Sequence, residues 1–352
     1  MSEKRLYIPR RQVVRGLLAT AAFGATSKLW GCSSQSGTSG TQASPGASPA
    51  ATTGGKPLVM GFIYNAPKAD YGWNQAQATG AAAAKALGVQ IIEQESVPET
   101  KEVQEVMRNM IDQDGATVIV PTSFGYFDPH VLELAKAYPQ VQFFHSGTLW
   151  KEGLPANVGS YFALLDEGQY LSGRVAAQAS KTGKIGFVGA KPINPVIRNI
   201  NSFMLGARSV KPDIKMQVVF TGEWSLPVKG AEATNSLVDQ GCDVIAVHVD
   251  SPKVVVETAE KRGVLSAGLH SDQSNLAPKG FLTSTIYNWP TIQKKYVELL
   301  KSGKTLMNGG IPHQIIGGIA EDYITLAPFG TGVSDAAKKD FEATKAKLVD
   351  GS

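Results

Sequence analysis

The sequence predicts an α/β protein in which helices cover both faces of parallel sheets. From Lys56 onward, ten apolar runs of strand length alternate with helical patterns. Most of these runs are apolar throughout, which is typical of strands buried on both faces, as in parallel sheets. About 300 residues follow Lys56, which is enough for two domains.

Five strands are predicted in each half of this part of the chain. The runs in the first half are PLVMGFIY, VQIIEQESV, ATVIVPT, VQFFHSG and NVGSYFA. Those in the second half are KIGFVGA, IKMQVVFTGEW, DVIAVHVD, VLSAGLH and FLTSTIY. An Ala-rich helix follows Trp73. Further helices are predicted over Lys101–Gln113, Pro129–Tyr138, Glu167–Ser180, Pro195–Val210, Pro227–Gln240 and Pro252–Arg262. Several begin at a proline or an acid and several end at glycine, as helix termini prefer.

Residues 1–31 have the pattern of an export signal. Arginines precede an uncharged segment from Gly16 to Ser27, which is too short to span a bilayer. The pair Arg10-Arg11 is similar to a twin-arginine signal. The run Leu29–Cys32 resembles a bacterial lipobox, which predicts acylation of Cys32 and a lipid anchor outside the cytoplasm. A plain signal peptide with an incidental cysteine is the alternative.

Composition after the signal narrows the class of protein. Residues 32–55 form a Ser-, Gly- and Ala-rich segment, which predicts a flexible tether. Residues 1–31 carry a net charge of +5 and the whole chain +4, so the remainder is −1. Such a body offers no electrostatic argument for nucleic-acid binding. Beyond Cys32 only Cys242 remains, so no disulfide forms within the body, and Cys242 is predicted to be a small buried residue.

The loops that follow the strands are the expected ligand site, because doubly wound sheets bind ligands beyond the carboxyl ends of their strands. Candidate binding residues at these positions are Trp73, Asn74, Tyr126, His145, Trp224, Asp250, His270 and Asp272. The two tryptophans follow strands in different halves. If the halves face each other across a cleft, the indoles can stack on a flat ligand while polar side chains read its edge. For any single aromatic residue, packing within its own half is the alternative.

Several motifs together resemble the basic membrane protein family of lipoproteins, the purine-binding branch of ABC-importer substrate-binding proteins. They are DYGWNQAQATG, YFALLDEGQYLSGRVAA, RNINSFMLGARSVKPDI, FTGEWSLPVKGAEATNSLVDQGCDVI and GLHSDQS. The resemblance runs from about Pro57 to Gly330. It implies a type I periplasmic-binding-protein fold with two Rossmann-like lobes joined by three crossing segments, near Ala163, Leu282 and Gly318. The N-terminal lobe would hold residues 56–163 and about 283–317, and the C-terminal lobe 164–282 and about 318–352.

The resemblance also implies roles for particular residues. Trp73 and Trp224 would sandwich a purine, Asn74 would bind its edge, and the loop from His145 to Gly147 would add a polar contact. His270 stands where nucleoside-binding members commonly have an aspartate for the ribose hydroxyls. Asn288, a further candidate binding residue, lies where a lysine is common. Both departures favour a free, adenine-like nucleobase over a nucleoside. The partners implied are an ABC permease and an ATPase, with no cofactor and no metal.

Two other functions compete with capture for import. A Rossmann-type enzyme is disfavoured because no G-x-G-x-x-G follows the first strand, and no P-loop, zinc-ligand cluster or nucleophile elbow is found. A receptor that senses the ligand and signals through closure uses the same two-lobed clamp, so the sequence does not distinguish it from a transport protein.

Overall fold

The computed structural model describes residues 57–351 of the chain. The predicted export signal, Cys32 and the whole of the predicted tether lie outside these residues. The described part contains two six-stranded sheets with helices between most successive strands, which confirms the predicted α/β class.

The first sheet defines the N-terminal lobe, and all its strand pairs are parallel. Its strand order is β11-β5-β4-β3-β1-β2. The strands are β1 (Val59–Ile63), β2 (Gln90–Gln94), β3 (Val118–Pro121), β4 (Gln142–Ser146), β5 (Val158–Ala163) and β11 (Gln314–Gly317).

The second sheet defines the C-terminal lobe and has the order β12-β10-β9-β8-β6-β7. It is parallel except for β12, which pairs antiparallel with β10. The strands are β6 (Lys184–Gly189), β7 (Lys215–Phe220), β8 (Val244–His248), β9 (Leu265–His270), β10 (Phe281–Tyr287) and β12 (Ile324–Leu326).

The helices of the described residues are α1 (Trp73–Ala86), α2 (Glu102–Asp112), α3 (Leu132–Ala137), α4 (Asp166–Ala179), α5 (Asn194–Val210), α6 (Pro227–Asp239), α7 (Lys253–Lys261), α8 (Trp289–Lys301) and α9 (Asp335–Asp350). The first seven lie close to the predicted positions, whereas α8 and α9 were not predicted. A π-helical turn, Phe127–Val131, precedes α3, and short 3-10 turns occupy Phe124–Tyr126 and Ser274–Leu276. Prolines in the first turns of α5, α6 and α8 suit positions where the backbone N–H has no helical partner.

The chain crosses between the lobes three times. The first crossing follows β5, and the third joins β11 to β12. The second lies at Asn288, because β10 belongs to the second sheet up to Tyr287 and α8 packs on α1 of the N-terminal lobe. The boundary expected near Leu282 is therefore wrong. Residues 283–287 are strand residues of the C-terminal lobe, since their backbones pair with β9 and β12.

Aromatic side chains form a continuous buried core across the second crossing. Tyr287 stacks on Trp289 with ring centroids 4.3 Å apart, and Trp289 meets Tyr161 edge-on at 5.2 Å. His270 stacks on the other side of the column, 5.3 Å from Tyr287. The rings on either side of Asn288 thus join the two lobes by packing as well as by the chain.

Candidate functional site

Loops from both lobes surround one cavity at the carboxyl ends of the strands, which we call the interlobe cavity. Its lining residues are Trp73, Ser123, Phe124, Ser146, Phe162, Ile193, Pro195, Val196, Trp224, His248, Asp250, His270 and Tyr287. A wider surface groove adjoins it and shares Phe124, Phe162 and Pro195 with it. The cavity is mainly aromatic and apolar with a few polar groups, as small-molecule sites usually are.

The side chain of Asp70 organises the start of α1 and so positions Trp73. Its Oδ1 accepts hydrogen bonds from the backbone of Gly72 (2.8 Å) and Gln75 (3.0 Å), and its Oδ2 accepts from the backbone of Asn74 (3.0 Å). These bonds satisfy N–H groups that a helix start leaves without partners. Gly72 is needed because a Cβ there would lie 1.9 Å from the carbonyl oxygen of Asp250.

The indole of Trp73 is buried and held on several sides. Its Nε1 donates to the carbonyl oxygen of Thr122 at 3.0 Å. The rings of His270, Tyr287 and Trp289 approach it nearly perpendicularly, with centroids at 5.7, 5.3 and 5.8 Å. Trp73 is therefore a fixed part of the cavity wall rather than a mobile loop side chain.

Trp224 lines the same cavity from the C-terminal lobe. Its ring is half-buried, and the Nζ of Lys191 lies 5.6 Å from the ring centroid. Its carbonyl oxygen accepts from the backbone N–H of Asp250 at 2.8 Å, which ties its loop to the end of β8. One indole from each lobe thus faces one cavity, while stacking of both on a ligand stays a prediction.

Three titratable side chains of the C-terminal lobe line the cavity. Burial raises the pKa of Asp250 to about 8, against the opposing effect of a hydrogen bond from Asn65. Burial lowers the pKa of His248 to about 3 and that of His270 well below its usual value. Both imidazoles are therefore neutral at pH 7, when each has one donor and one acceptor nitrogen. Within the described residues neither ring nitrogen of His270 has a hydrogen-bond partner.

The turn before α1 also contacts the C-terminal lobe directly. The backbone N–H of Trp73 donates to the carbonyl oxygen of Asp250 at 3.0 Å, and Nδ2 of Asn65 donates to Asp250 Oδ2 at 3.0 Å. The carbonyl oxygen of Tyr71 accepts from Gln273 Nε2 at 2.8 Å and from the hydroxyl of Ser271. Asp250 therefore lines the cavity and contacts the opposite lobe with both its backbone and its side chain.

Three predicted site residues of the N-terminal lobe do not line the cavity. The side chain of Asn74 turns back to Asp70, with Nδ2 donating to Oδ2 at 2.8 Å. The hydroxyl of Tyr126 donates to the carbonyl oxygen of Val97 at 2.6 Å inside the lobe. Nε2 of His145 lies 2.9 Å from the carbonyl oxygen of Ser123, and burial lowers the pKa of His145 to about 4. Its neighbour Ser146 lines the cavity instead.

Two predicted residues near the C-terminal lobe are corrected in the same way. Asp272 is exposed, and its Oδ1 accepts from the backbone N–H of Ser274 at 2.9 Å, so it stabilises a turn. Nδ2 of Asn288 donates to Thr291 Oγ1 and to Asp322, which places Asn288 in the crossing rather than in the cavity. The predicted acylation site, Cys32, lies outside the described residues.

Several lining residues were not predicted from the sequence. Ser123 and His248 end or follow strands, so the carboxyl-end rule could have identified them, whereas Ser146 lies in the loop from His145 to Gly147 that the resemblance implied. Phe162 and Tyr287 also end strands, but they precede crossings, and only the second sheet's pairing assigns Tyr287 to its lobe. For Ile193, Pro195 and Val196 the sequence offers no signal beyond their position at the start of α5.

No group of three or more His, Cys, Asp or Glu among residues 57–351 is arranged to hold a metal ion. No helix in this same range has the length and apolar character needed to cross a bilayer. Cys242 is buried, and burial raises the pKa of its thiol.

The fold and the cavity define the class as two-lobed proteins of the periplasmic-binding type, with a ligand site between the lobes. A solute-binding protein of an ABC transporter system from Aeropyrum pernix K1 superposes with a TM-score of 0.70 at 20% identity, over 84% of this chain and 92% of its own. At that identity the likeness concerns the fold alone. It confirms the predicted two-lobed architecture.

The chain belongs to the Bmp family of PnrA-like ABC transporter substrate-binding proteins, whose profile matches residues 58–349. A purine-binding protein of Brucella abortus is 36% identical over 298 residues, covering 84% of this chain and 81% of that protein. A Haloferax volcanii protein, whose name assigns it to glucose binding in an ABC transporter, is 33% identical over 238 residues. That match covers 67% of this chain and 58% of the relative.

Proposed function

We propose that this protein captures a purine nucleobase, adenine-like in its hydrogen-bonding edge, and delivers it to an ABC permease powered by an ATPase. The observation that carries the proposal is the pair of indoles, Trp73 and Trp224, which line one cavity from opposite lobes. An aromatic ring stacked on a base contributes about 1–3 kcal/mol. The name of the Brucella abortus relative supports a purine ligand.

The neutral imidazole of His270 favours a free base over a nucleoside. A vicinal diol is held best by a carboxylate, which accepts two hydrogen bonds, whereas neutral histidine has one acceptor nitrogen. A nucleoside is the second candidate, because the carboxyl group of Asp250 lines the same cavity and, once ionised, accepts from hydroxyl groups.

Calorimetry of the purified protein with adenine, hypoxanthine, adenosine and glucose tests the proposal. We expect adenine or hypoxanthine to bind at least tenfold more tightly than adenosine, since a site lacking the right partners rejects the added ribose. Tighter binding of adenosine would support the nucleoside alternative. Binding of glucose with no response to any base would overturn the purine proposal.

We also propose that the protein is exported and anchored through an acylated Cys32, which holds the binding body near its permease. The arginine-rich start, the lipobox-like run and the tether support this arrangement. Incorporation of labelled fatty acid should be lost in Cys32→Ser and retained in Cys242→Ser. Persistent labelling of Cys32→Ser would contradict acylation at this cysteine. No part of the proposal requires catalysis, and uptake of labelled adenine lost on deletion of the protein would distinguish import from sensing.

A further inference from the structure

Two serines form the polar part of the cavity wall in the N-terminal lobe. Ser123 follows β3, and Ser146 is the last residue of β4, the neighbouring strand in the sheet. Both are almost fully buried and line the interlobe cavity. Each hydroxyl has one proton to donate and two lone pairs to accept with, so its partners behind the wall decide what it offers a ligand.

The carboxylate of Glu99 accepts a hydrogen bond from the hydroxyl of Ser123. Its Oε1 lies 2.6 Å from Ser123 Oγ, and the same oxygen accepts from the backbone N–H of Gly125 at 2.8 Å. A carboxylate only accepts hydrogen bonds, so the serine is the donor in this contact. The hydroxyl oxygen of Ser123 therefore presents only its lone pairs to the cavity, and it acts as an acceptor toward a ligand.

Ser146 has the opposite arrangement. Nε2 of Gln77 donates to Ser146 Oγ at 2.8 Å, and Oε1 of Gln77 accepts from the hydroxyl of Tyr161 at 2.9 Å. With its carbonyl oxygen toward the tyrosine, the Gln77 amide directs its NH2 group to the serine. All three side chains are buried, which leaves them few alternative partners. Ser146 accepts from Gln77 behind the wall, and its proton has two acceptors within reach, the hydroxyl oxygen of Tyr161 in the free protein and an acceptor atom of a ligand in the cavity.

We propose that Ser123 and Ser146 are specificity-determining residues that require an N–H donor beside an acceptor on the ligand edge, with Glu99 and Gln77 as positioning residues. This inference rests on the proposed purine-base function and narrows its ligand. Neighbouring strands lie about 4.8 Å apart, so hydroxyls on two adjacent strand ends can bracket one edge of a heterocycle. The amidine edge of adenine and the amide edge of hypoxanthine both carry such a pair.

A comparison of adenine with 6-methylpurine tests the pair. The methyl group has nearly the shape of the amino group but donates nothing, while the ring acceptors remain. We expect the wild-type protein to prefer adenine by roughly 5- to 100-fold, because the analogue leaves the Ser123 lone pairs without a donor. Ser123→Ala should reduce this ratio to less than threefold. Ser146→Ala should weaken both ligands about equally and retain the ratio.

The positioning role is tested by Glu99→Gln. The new amide can donate to Ser123 and release its hydroxyl proton toward the cavity, so the adenine preference should fall although Ser123 is present. Ser160→Ala is the matched control, since Ser160 is a buried serine of the same lobe that accepts from the backbone of Trp150 and does not line the cavity. It should leave both affinities and their ratio unchanged.

Three outcomes would overturn the inference while leaving purine binding intact: an unchanged adenine preference in Ser123→Ala, its loss in Ser146→Ala, or its loss in Ser160→Ala. A ligand-free measurement keeps the inference testable even if no base binds. Neutron diffraction from deuterium-exchanged crystals should locate the Ser123 deuteron toward Glu99 and the Gln77 amide nitrogen toward Ser146. The reverse amide orientation, or a Ser123 deuteron pointing into the cavity, would contradict the proposed polarity.

Discussion

The two walls of the interlobe cavity differ in how firmly their polar atoms are held before a ligand arrives. On the N-terminal wall, Ser123 and Ser146 each have a hydrogen-bond partner behind them. On the C-terminal wall, Asp250 accepts from Asn65 and His248 contacts Asn199, but neither ring nitrogen of His270 has a partner among the described residues. Burial also raises the pKa of Asp250 to about 8. The tryptophans follow the same division, since Trp73 is buried and Trp224 is half-buried.

This difference separates two ways of recognising a ligand. A hydroxyl with a fixed partner offers one polarity, and it rejects a ligand edge of the wrong pattern because a buried polar atom is then left unpaired. A free imidazole can change tautomer and a carboxyl with a raised pKa can change protonation, so they adapt to the ligand. We interpret the N-terminal wall as the selective one and the C-terminal wall as the adaptable one.

The largest expected effect comes from removing the indoles one at a time. Trp73→Ala and Trp224→Ala should each weaken adenine binding by roughly 5- to 100-fold, because each removes one stacking face. Trp73→Ala should also lower the free energy of unfolding by about 3–5 kcal/mol, since a buried aromatic ring is deleted. Trp224→Ala should lower it much less. Calorimetry and thermal unfolding measure the two effects.

Trp150→Ala is the control for both variants, because Trp150 stacks on His313 at 5.0 Å and does not line the cavity. It should leave the affinity for adenine unchanged. Equal losses of stability for Trp73→Ala and Trp224→Ala would contradict the difference between a buried indole on the selective wall and a half-buried indole on the adaptable wall.

The second prediction uses the titration of Asp250. Between about pH 4 and pH 8 the folded protein keeps the Asp250 proton, whereas the unfolded chain releases it. Folding therefore takes up a proton in this window, and this group's contribution to stability falls as pH rises through it and is constant above. Asp250→Asn does not titrate. Its stability relative to wild type should rise from pH 4 to pH 8 by the order of a few kcal/mol.

Unfolding midpoints of both proteins across this pH range provide the measurement, with Asp272→Asn as the control because Asp272 is exposed in a turn. A stability difference between Asp250→Asn and wild type that does not change with pH would show that the carboxyl of Asp250 is not held protonated by the fold.

The third prediction concerns a substitution in the adaptable wall that should favour nucleosides. His270→Asp places a carboxylate where His270 now faces the cavity, and aspartate tolerates the left-handed backbone found there, with φ of 73°. The ratio of adenosine affinity to adenine affinity should rise about tenfold, because the carboxylate accepts from both ribose hydroxyls. Competition calorimetry measures this ratio. If it stays constant, the choice between base and nucleoside does not depend on this position.

The smallest expected effect is that of Tyr126→Phe. Removing the hydroxyl leaves the carbonyl oxygen of Val97 without this donor, which should cost about 1 kcal/mol of stability. Adenine affinity should stay within twofold of wild type, because the ring packs inside the N-terminal lobe. A clear loss of adenine affinity with unchanged stability would show that Tyr126 contributes to binding after all.

The sequence predicted which loops border the cavity but not which side chains of those loops face it. Trp73 begins α1 and lines the cavity, but Asn74, the next residue, turns to Asp70. Successive helix residues point about 100° apart, so a motif on a helix start identifies a turn and not each of its side chains. In a strand, neighbouring side chains point to opposite faces, which explains why Ser146 lines the cavity and His145 does not.

The sequence by itself determined the alternation of strands and helices, and with it the edge of each sheet where a ligand would bind. It did so because apolar runs and helix-terminal residues act locally. It also identified one indole in each half of the chain, since each comes after a strand, at or before the start of the next helix.

Only the tertiary structure decided which of these side chains share a cavity, because that depends on contacts between residues far apart in the chain. Ser123 is an acceptor toward the cavity because it donates to Glu99, and Tyr287 belongs to the C-terminal lobe because its backbone pairs with β12. The carbonyl oxygen of Tyr71 accepts from Gln273 of the other lobe, about 200 positions away in the chain. Backbone pairing and the satisfaction of buried polar groups are properties of the folded whole.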